Sequence, residues 1–235
     1  MLDPYVPAYK IGSGDITWLE ACLRMAQKGK PVLLATGASS IGEVQRAVEA
    51  ILAVNPNLIL MQCNTNYTAA DGNFDNIHLM VLKTYHHMWP DLILGLSDHT
   101  HGHATVLGAV ALGARVVEKH FTDDNNREGP DHAFAMNPQS WADMVQNTRQ
   151  LERALGSGNK FVTDNEKQTV IVQRRCLRAA RDIQAGESLT REMIAVLRPA
   201  TPGAIEPHEV DLVIGLKAIK DIPQGQELRW TQLGD

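Results

Sequence analysis

The sequence predicts an α/β fold, with repeated strand–helix units over residues 1–156 and a small, mostly β domain over residues 170–235. Three observations predict it. Five short apolar runs recur along the first two thirds of the chain, each closed by a polar or glycine-bearing turn. Amphipathic helical stretches separate them, which gives a strand–helix unit of about 25–35 residues. Past residue 165 the texture changes, and a repeat occurs at an offset of 39 residues.

The strands are predicted at residues 6–12, 31–36, 58–63, 92–97 and 115–121. A helix is predicted over 40–53, where Ile41, Val44, Ala47, Val48 and Ile51 fall at helical spacing. Further helices are predicted over 103–112 and 138–155. Five such units match five eighths of a (β/α)8 barrel of roughly 250 residues. A complete five-stranded, doubly wound open sheet fits the same periodicity. Residues 157–169 read as a polar linker. In the tail, Arg181-Asp-Ile-Gln-Ala-Gly-Glu-Ser-Leu is echoed by Lys220-Asp-Ile-Pro-Gln-Gly-Gln-Glu-Leu, and Ile194 corresponds to Leu233. Each copy reads as a strand, a glycine turn and a segment led by an apolar residue.

Composition narrows the function. Of 235 residues, 44% are hydrophobic and 21% charged, and the net charge is -5, so no nucleic-acid or membrane surface is indicated. Arg174, Arg175, Arg178 and Arg181 read as a solvated face. No apolar run reaches the roughly 18 residues that span a bilayer, and the first residues lack the pattern of a secretory signal. Cys22, Cys63 and Cys176 read as free thiols in a reducing compartment, the cytoplasm.

Parallel α/β sheets bind ligands at the carboxyl ends of their strands. Those ends carry Lys10 and Ser13, Thr36, Gln62 with residues 64–67, Ser97 and His99, and Glu118 and His120. Side chains alternate along a strand, so Ser97 shares a face with His99 and Glu118 with His120, while Asp98 and Lys119 point the other way. Two imidazoles at neighbouring strand ends suit a divalent metal such as Mn²⁺ or Zn²⁺; hydrogen-bonded strand-end histidines fit as well. His101 and His103, in the turn and at the helix start, are expected exposed or outside a ligand set. Lys10 in an apolar strand needs an anion, either a ligand phosphate or carboxylate or a protein carboxylate. Asp131, after Gly129-Pro, can bind sugar hydroxyls, act as a base or cap a turn.

Four stretches, Tyr9-Lys-Ile-Gly-Ser-Gly-Asp, Gly95-Leu-Ser-Asp-His-Thr, Glu118-Lys-His-Phe-Thr-Asp and Gly129-Pro-Asp-His, resemble in order and spacing the sialic (nonulosonic) acid synthase family. The tail resembles that family's antifreeze-like, or SAF, domain. The resemblance runs along essentially the whole chain. It implies strands four to eight of a (β/α)8 barrel, followed by the SAF domain. It also implies a carbon–carbon bond-forming transferase: phosphoenolpyruvate condenses with open-chain N-acetylmannosamine or a related N-acetyl amino sugar, water is taken up and phosphate released. His99 and His120 would hold Mn²⁺. Lys10, Ser13 and Ser97 would bind substrate, Lys10 and Ser97 through the phosphate or carboxylate of phosphoenolpyruvate. Glu118 and Asp131 would be the catalytic carboxylates at the sugar, and Thr65 and Tyr67 would line the sugar pocket. Arg198 would reach into the partner protomer's site, implying a domain-swapped homodimer.

Two departures bear on this. Thr65 stands where the family often has serine or asparagine, which leaves the sugar open, and Ala35 stands where some members have serine. The resemblance also implies that the first three barrel strands, with a catalytic glutamate, lie outside this chain. Two other readings are a non-catalytic sugar- or phosphate-binding remnant and a Schiff-base aldolase using Lys10, which would need a desolvated lysine.

Overall fold

In the computed structural model, which describes residues 3–67 and 70–235, the five apolar runs form five strands. They are β1 (Tyr9–Ile11), β2 (Val32–Ala35), β3 (Leu58–Cys63), β4 (Ile93–Asp98) and β5 (Val116–Lys119). Four helices lie between them, α1 (Leu19–Ala26), α2 (Ile41–Leu52), α3 (Val81–Met88) and α4 (Ala104–Ala111), and α5 (Pro138–Leu155) follows β5. The helices α2, α4 and α5 fall where the spacing predicts them. The sequence reading leaves out α1 and α3, which have eight residues each and bury only two apiece, too few to set up a periodic stripe.

Every neighbouring pair is parallel, and the strand order β1-β2-β3-β4-β5 follows the chain. A doubly wound sheet reverses its order at a switch point; this one does not, so that alternative falls. One contact shows that the sheet curls. Strands lie about 4.8 Å apart, so a flat sheet would hold β1 and β5 about 19 Å apart. Yet Lys10 Nζ on β1 donates to Glu118 Oε2 on β5 at 2.5 Å. The sheet is a half-barrel with Lys10 and Glu118 on its concave face.

The two faces differ in the way alternation requires. On the convex face Val32, Leu34, Leu58, Leu60, Leu94 and Leu96 are buried beneath the helices. From α2 come Val44, Ala47, Val48 and Ile51, the predicted stripe. A capping box starts α2, the Glu43 carboxylate accepting from the Ser40 N–H at 2.7 Å. On the concave face Ile59 is only partly buried and Ile93 is exposed. The stability of this unit therefore rests on the convex side. Leu60→Ala is expected to cost about 2–5 kcal/mol, read by urea denaturation, with a loss under 1 kcal/mol contradicting this assignment.

Contacts within the chain cluster into two units, Met1–Gly156 and Ser157–Asp235. The second contains α6 (Lys167–Gln173), β6 (Cys176–Ala179), β7 (Ile194–Leu197), α7 (Val210–Val213), β8 (Lys217–Ala218) and β9 (Leu233–Gly234). Antiparallel pairs β6–β7 and β8–β9 are the two copies of the 39-residue repeat. The copies meet through equivalent atoms. Ile183 bridges Ile222; the Gln224 N–H donates to Asp182 Oδ1 at 2.7 Å, and the Ala185 N–H donates to Asp221 Oδ1 at 2.8 Å. Leu189 and Leu228, also paired by the repeat, are both fully buried in the shared core.

Within the stretch 157–169 a 3-10 turn at Asp164–Glu166 leads into α6. One expectation needs correction. Arg178 is not on a solvated face: its side chain is only 16% exposed, and it binds Glu227 Oε1 at 2.8 Å. Its guanidinium also donates to the carbonyls of Pro199 and Gly225, so the charge is spent on holding loops. Among the described residues no helix is long and apolar enough to cross a membrane.

Candidate active site

Register fixes what the concave face offers. Cys63, Ser97 and Glu118 are lateral partners on β3, β4 and β5. His99 and His120 follow two residues beyond Ser97 and Glu118, so both return to the same face. Together with Lys10 these side chains border a cavity of about 360 Å³ at the carboxyl edge of the sheet.

The cavity has a charged side and an aromatic side. On the charged side, Glu118 Oε2 accepts from Lys10 Nζ at 2.5 Å and from Ser97 Oγ at 2.7 Å. Burial works against the Glu118 charge, but these two donors outweigh it and hold the carboxyl below its usual range. On the aromatic side, the His99 and His120 rings lie 5.0 Å apart, with Tyr67 4.3 Å from His99 and Phe134 5.0 Å from His120. Beside them the Gly37 N–H donates to Ser13 Oγ at 2.9 Å. A Cβ on Gly37 would fall 1.8 Å from Thr65 Oγ1, so a larger residue there would displace the Thr65 side chain.

The histidines are held by different partners. His99 Nδ1 donates to the Asn64 carbonyl at 2.9 Å. Burial disfavours its charged form, but the Cys63 thiol and this carbonyl outweigh burial and raise its pKa. The same contact acts in reverse on Cys63: burial pushes the thiol up, and His99, Ser13 and Thr65 bring it below its ordinary value. His120 Nδ1 faces Asp131 Oδ2 at 3.3 Å. Burial first, then repulsion from His99, lower the His120 pKa, against the opposing pull of Asp131.

This arrangement fits a divalent metal. Each Nδ1 is engaged by an outer carbonyl or carboxylate, which leaves Nε2 as the ligating nitrogen. Neutral imidazole is the ligating form; the lowered pKa of His120 favours it, while the raised pKa of His99 opposes it, so a cation would have to displace the His99 proton. No group of three or more His, Cys, Asp or Glu side chains suited to a metal occurs among the described residues. An ion here would take two imidazoles and complete its shell from water or substrate.

Most sequence candidates converge here: Lys10, Ser13, Thr65, Tyr67, Ser97, His99, Glu118 and His120 border the cavity, and Asp131 touches His120. Thr36 and Gln62 do not. Their parity turns them to the convex side, where Thr36 Oγ1 donates to the Met61 carbonyl and Gln62 Nε2 to the Ile77 carbonyl. His101 is exposed and pairs with Asp71 at 3.3 Å, and His103 is the residue before α4; neither borders the cavity. Arg198 is exposed at the end of β7, in the second unit. Sequence reasoning missed Cys63, although two-residue alternation from Met61 points to it. It also missed Phe134, 2% exposed, which no local pattern marks.

A curled parallel sheet with a lysine, a carboxylate and two imidazoles at its carboxyl edge defines a (β/α)-barrel ligand site, here joined to a β-rich second unit. The chain belongs to the NeuB family, whose profile matches residues 1–160, and a SAF domain matches residues 174–234. It is 33% identical to the N,N'-diacetyllegionaminic acid synthase of Legionella pneumophila, over 97% of this chain and 64% of that protein. It is 30% identical to the human N-acetylneuraminate-9-phosphate synthase, over 93% of this chain and 60% of that protein. The chain thus spans less than two thirds of these relatives. Among solved structures, the Bacillus subtilis spore coat polysaccharide biosynthesis protein SpsE matches with a TM-score of 0.58 at 30% identity, over 97% of this chain and 68% of that one. The Leptospira borgpetersenii N-acetylneuraminic acid synthetase, solved with citrate, matches with 0.64 at 29% identity, over 71% and 57%.

Proposed function

We propose that this chain carries most of the active site of a nonulosonic acid synthase, which joins phosphoenolpyruvate to an N-acetyl amino sugar and releases phosphate. The observation that carries the reading is the pairing of His99 and His120, 5.0 Å apart, beside the Lys10–Glu118–Ser97 group. The names of the relatives support it. In this reading β1 to β5 are the fourth to eighth strands of a (β/α)8 barrel.

C3 of phosphoenolpyruvate bonds to the aldehyde carbon of the open-chain sugar, whose oxygen takes up a proton. Water adds to C2, and loss of phosphate leaves an α-keto acid. Lys10 and Ser97 bind the phosphate or carboxylate, with Ser13 beside them, so Lys10 exchanges part of its contact with Glu118 for substrate. Glu118, ionised, then accepts the proton that water gives up as it adds to C2, and Asp131 holds His120 while facing the cavity mouth. Thr65 and Tyr67 line the sugar pocket. His99 and His120 would hold Mn²⁺, which when bound would polarise a carbonyl oxygen as a Lewis acid. Arg198 contacts the sugar's N-acetyl group from a partner subunit in a homodimer, and the enzyme works in the cytoplasm.

Mass spectrometry of the reaction of the full gene product with phosphoenolpyruvate, Mn²⁺ and a panel of N-acetyl amino sugars tests this. The expected product has the mass of sugar plus phosphoenolpyruvate plus water less phosphoric acid. A pyruvate adduct trapped on Lys10 by borohydride, without that product, would support an aldolase instead. Glu118→Gln is expected to lower kcat about 10²–10⁴-fold; an unchanged kcat would remove Glu118 from proton transfer.

A further inference from the structure

Behind the cavity, on the convex face, a buried ion pair joins the two strands that carry the histidines. Asp98 and Lys119 are register partners on β4 and β5. Their side chains are 0% and 1% exposed, and Lys119 Nζ donates to Asp98 Oδ2 at 2.6 Å. Each sits between two cavity residues, Asp98 between Ser97 and His99, and Lys119 between Glu118 and His120.

The pair does more than bridge two strands. Lys119 Nζ also donates to the Thr100 carbonyl at 2.6 Å, directly after His99. Asp98 Oδ1 accepts from the Thr100 N–H at 3.1 Å, and Asp98 Oδ2 accepts from Thr105 Oγ1, in the first turn of α4, at 2.6 Å. The strand ends, the turn after His99 and the next helix are thus tied to one point.

Stability alone does not account for charges at this place. Well-packed apolar residues of similar volume often hold two strands as well as a buried ion pair does, or better. An apolar pair cannot bind the Thr100 carbonyl, and that bond fixes the backbone that carries His99. The geometry points to Asp98 and Lys119 as positioning residues that set the relative placement of the His99 and His120 imidazoles. This rests on the reading that the two imidazoles act together on one ligand.

The test compares Lys119→Met, Asp98→Asn, the double variant and Thr105→Val in the full chain. The readouts are Tm, Mn²⁺ affinity by calorimetry and the imidazole nitrogen resonances of His99 and His120. Each single variant at the pair strands a buried charge and is expected to lose stability. The double variant removes both charges and is expected to recover Tm, while Mn²⁺ affinity stays about 10–100-fold weaker, the usual effect of losing an outer-shell partner, and both imidazoles stay shifted. A double variant with wild-type Tm, affinity and resonances overturns the proposal. Thr105→Val keeps the charges, so it decides the matter if the double variant does not fold: a weaker affinity and shifted imidazoles at wild-type Tm support positioning, and wild-type values for both overturn it. A wild-type protein without Mn²⁺ affinity would refute the metal in the proposed function, not the positioning role. The resonances alone would then decide, with shifted imidazoles keeping the role and unshifted ones overturning it.

Discussion

His120→Ala in the full gene product is expected to lower sugar-dependent phosphate release by about 10³-fold, while phosphoenolpyruvate affinity changes less than about tenfold. The size follows from the several kcal/mol that a Lewis-acidic ion contributes to a charged transition state, at 1.36 kcal/mol per factor of ten. The split follows from the site. Lys10 and Ser97 sit on the charged side, and the His99–His120 pair on the aromatic side. Asp131→Asn removes only the carboxylate that faces His120 Nδ1, so its effect is expected to be smaller, about 10–100-fold. Steady-state kinetics with a phosphoenolpyruvate titration checks both. Equal losses in affinity for His120→Ala would merge the two sides into one binding site.

Glu227→Ala is expected to destabilise the second unit by about 3–5 kcal/mol, the range for removing one partner of a buried ion pair. Its carboxylate accepts from Arg178 at 2.8 Å and Arg229 at 3.0 Å, and from the Thr201 N–H at 3.1 Å; the Thr201 hydroxyl donates as well. Removing it leaves Arg178 buried without a counter-charge. The same group makes the unit acid-sensitive. Burial pushes the Glu227 carboxyl up, but Thr201, Arg229 and Arg178 outweigh burial and bring it below its ordinary value. A carboxyl depressed in the folded state contributes stability above its unfolded pKa, near 4.3. That contribution declines as the pH falls from there through the folded value. Urea midpoints at pH 7 and at about pH 3.5 should therefore converge between wild type and Glu227→Ala; a difference that stays constant with pH would contradict this account.

The convex face was legible because strands buried under helices read as apolar runs, and α2 because Val44, Ala47, Val48 and Ile51 repeat at helical spacing. Parity puts Ser97, His99, Glu118 and His120 on one face from the sequence alone. On β2 and β3, position at the strand end points to Thr36 and Gln62, while parity turns both away from the cavity and brings Cys63 to it. Curling is not legible in the periodicity, which is the same in flat and curled sheets; the family resemblance implies it, and the Lys10–Glu118 contact shows it. Arg178 reads as a surface residue in the sequence because an arginine paired through the core has the same local context as a solvated one. The repeat in the tail survived because its Asp182 and Asp221 bind backbone N–H groups of the opposite copy, a role that keeps residue type and spacing together.

The claim that this concave face joins phosphoenolpyruvate to an amino sugar is tested most directly by phosphate release from the full gene product, with phosphoenolpyruvate and Mn²⁺ in the presence and absence of each N-acetyl amino sugar. The account predicts release only with an accepted sugar, one phosphate per sugar consumed, and loss of that release in His99→Ala. Release that ignores the sugar, or no release with any sugar from a folded protein that binds Mn²⁺, would contradict it.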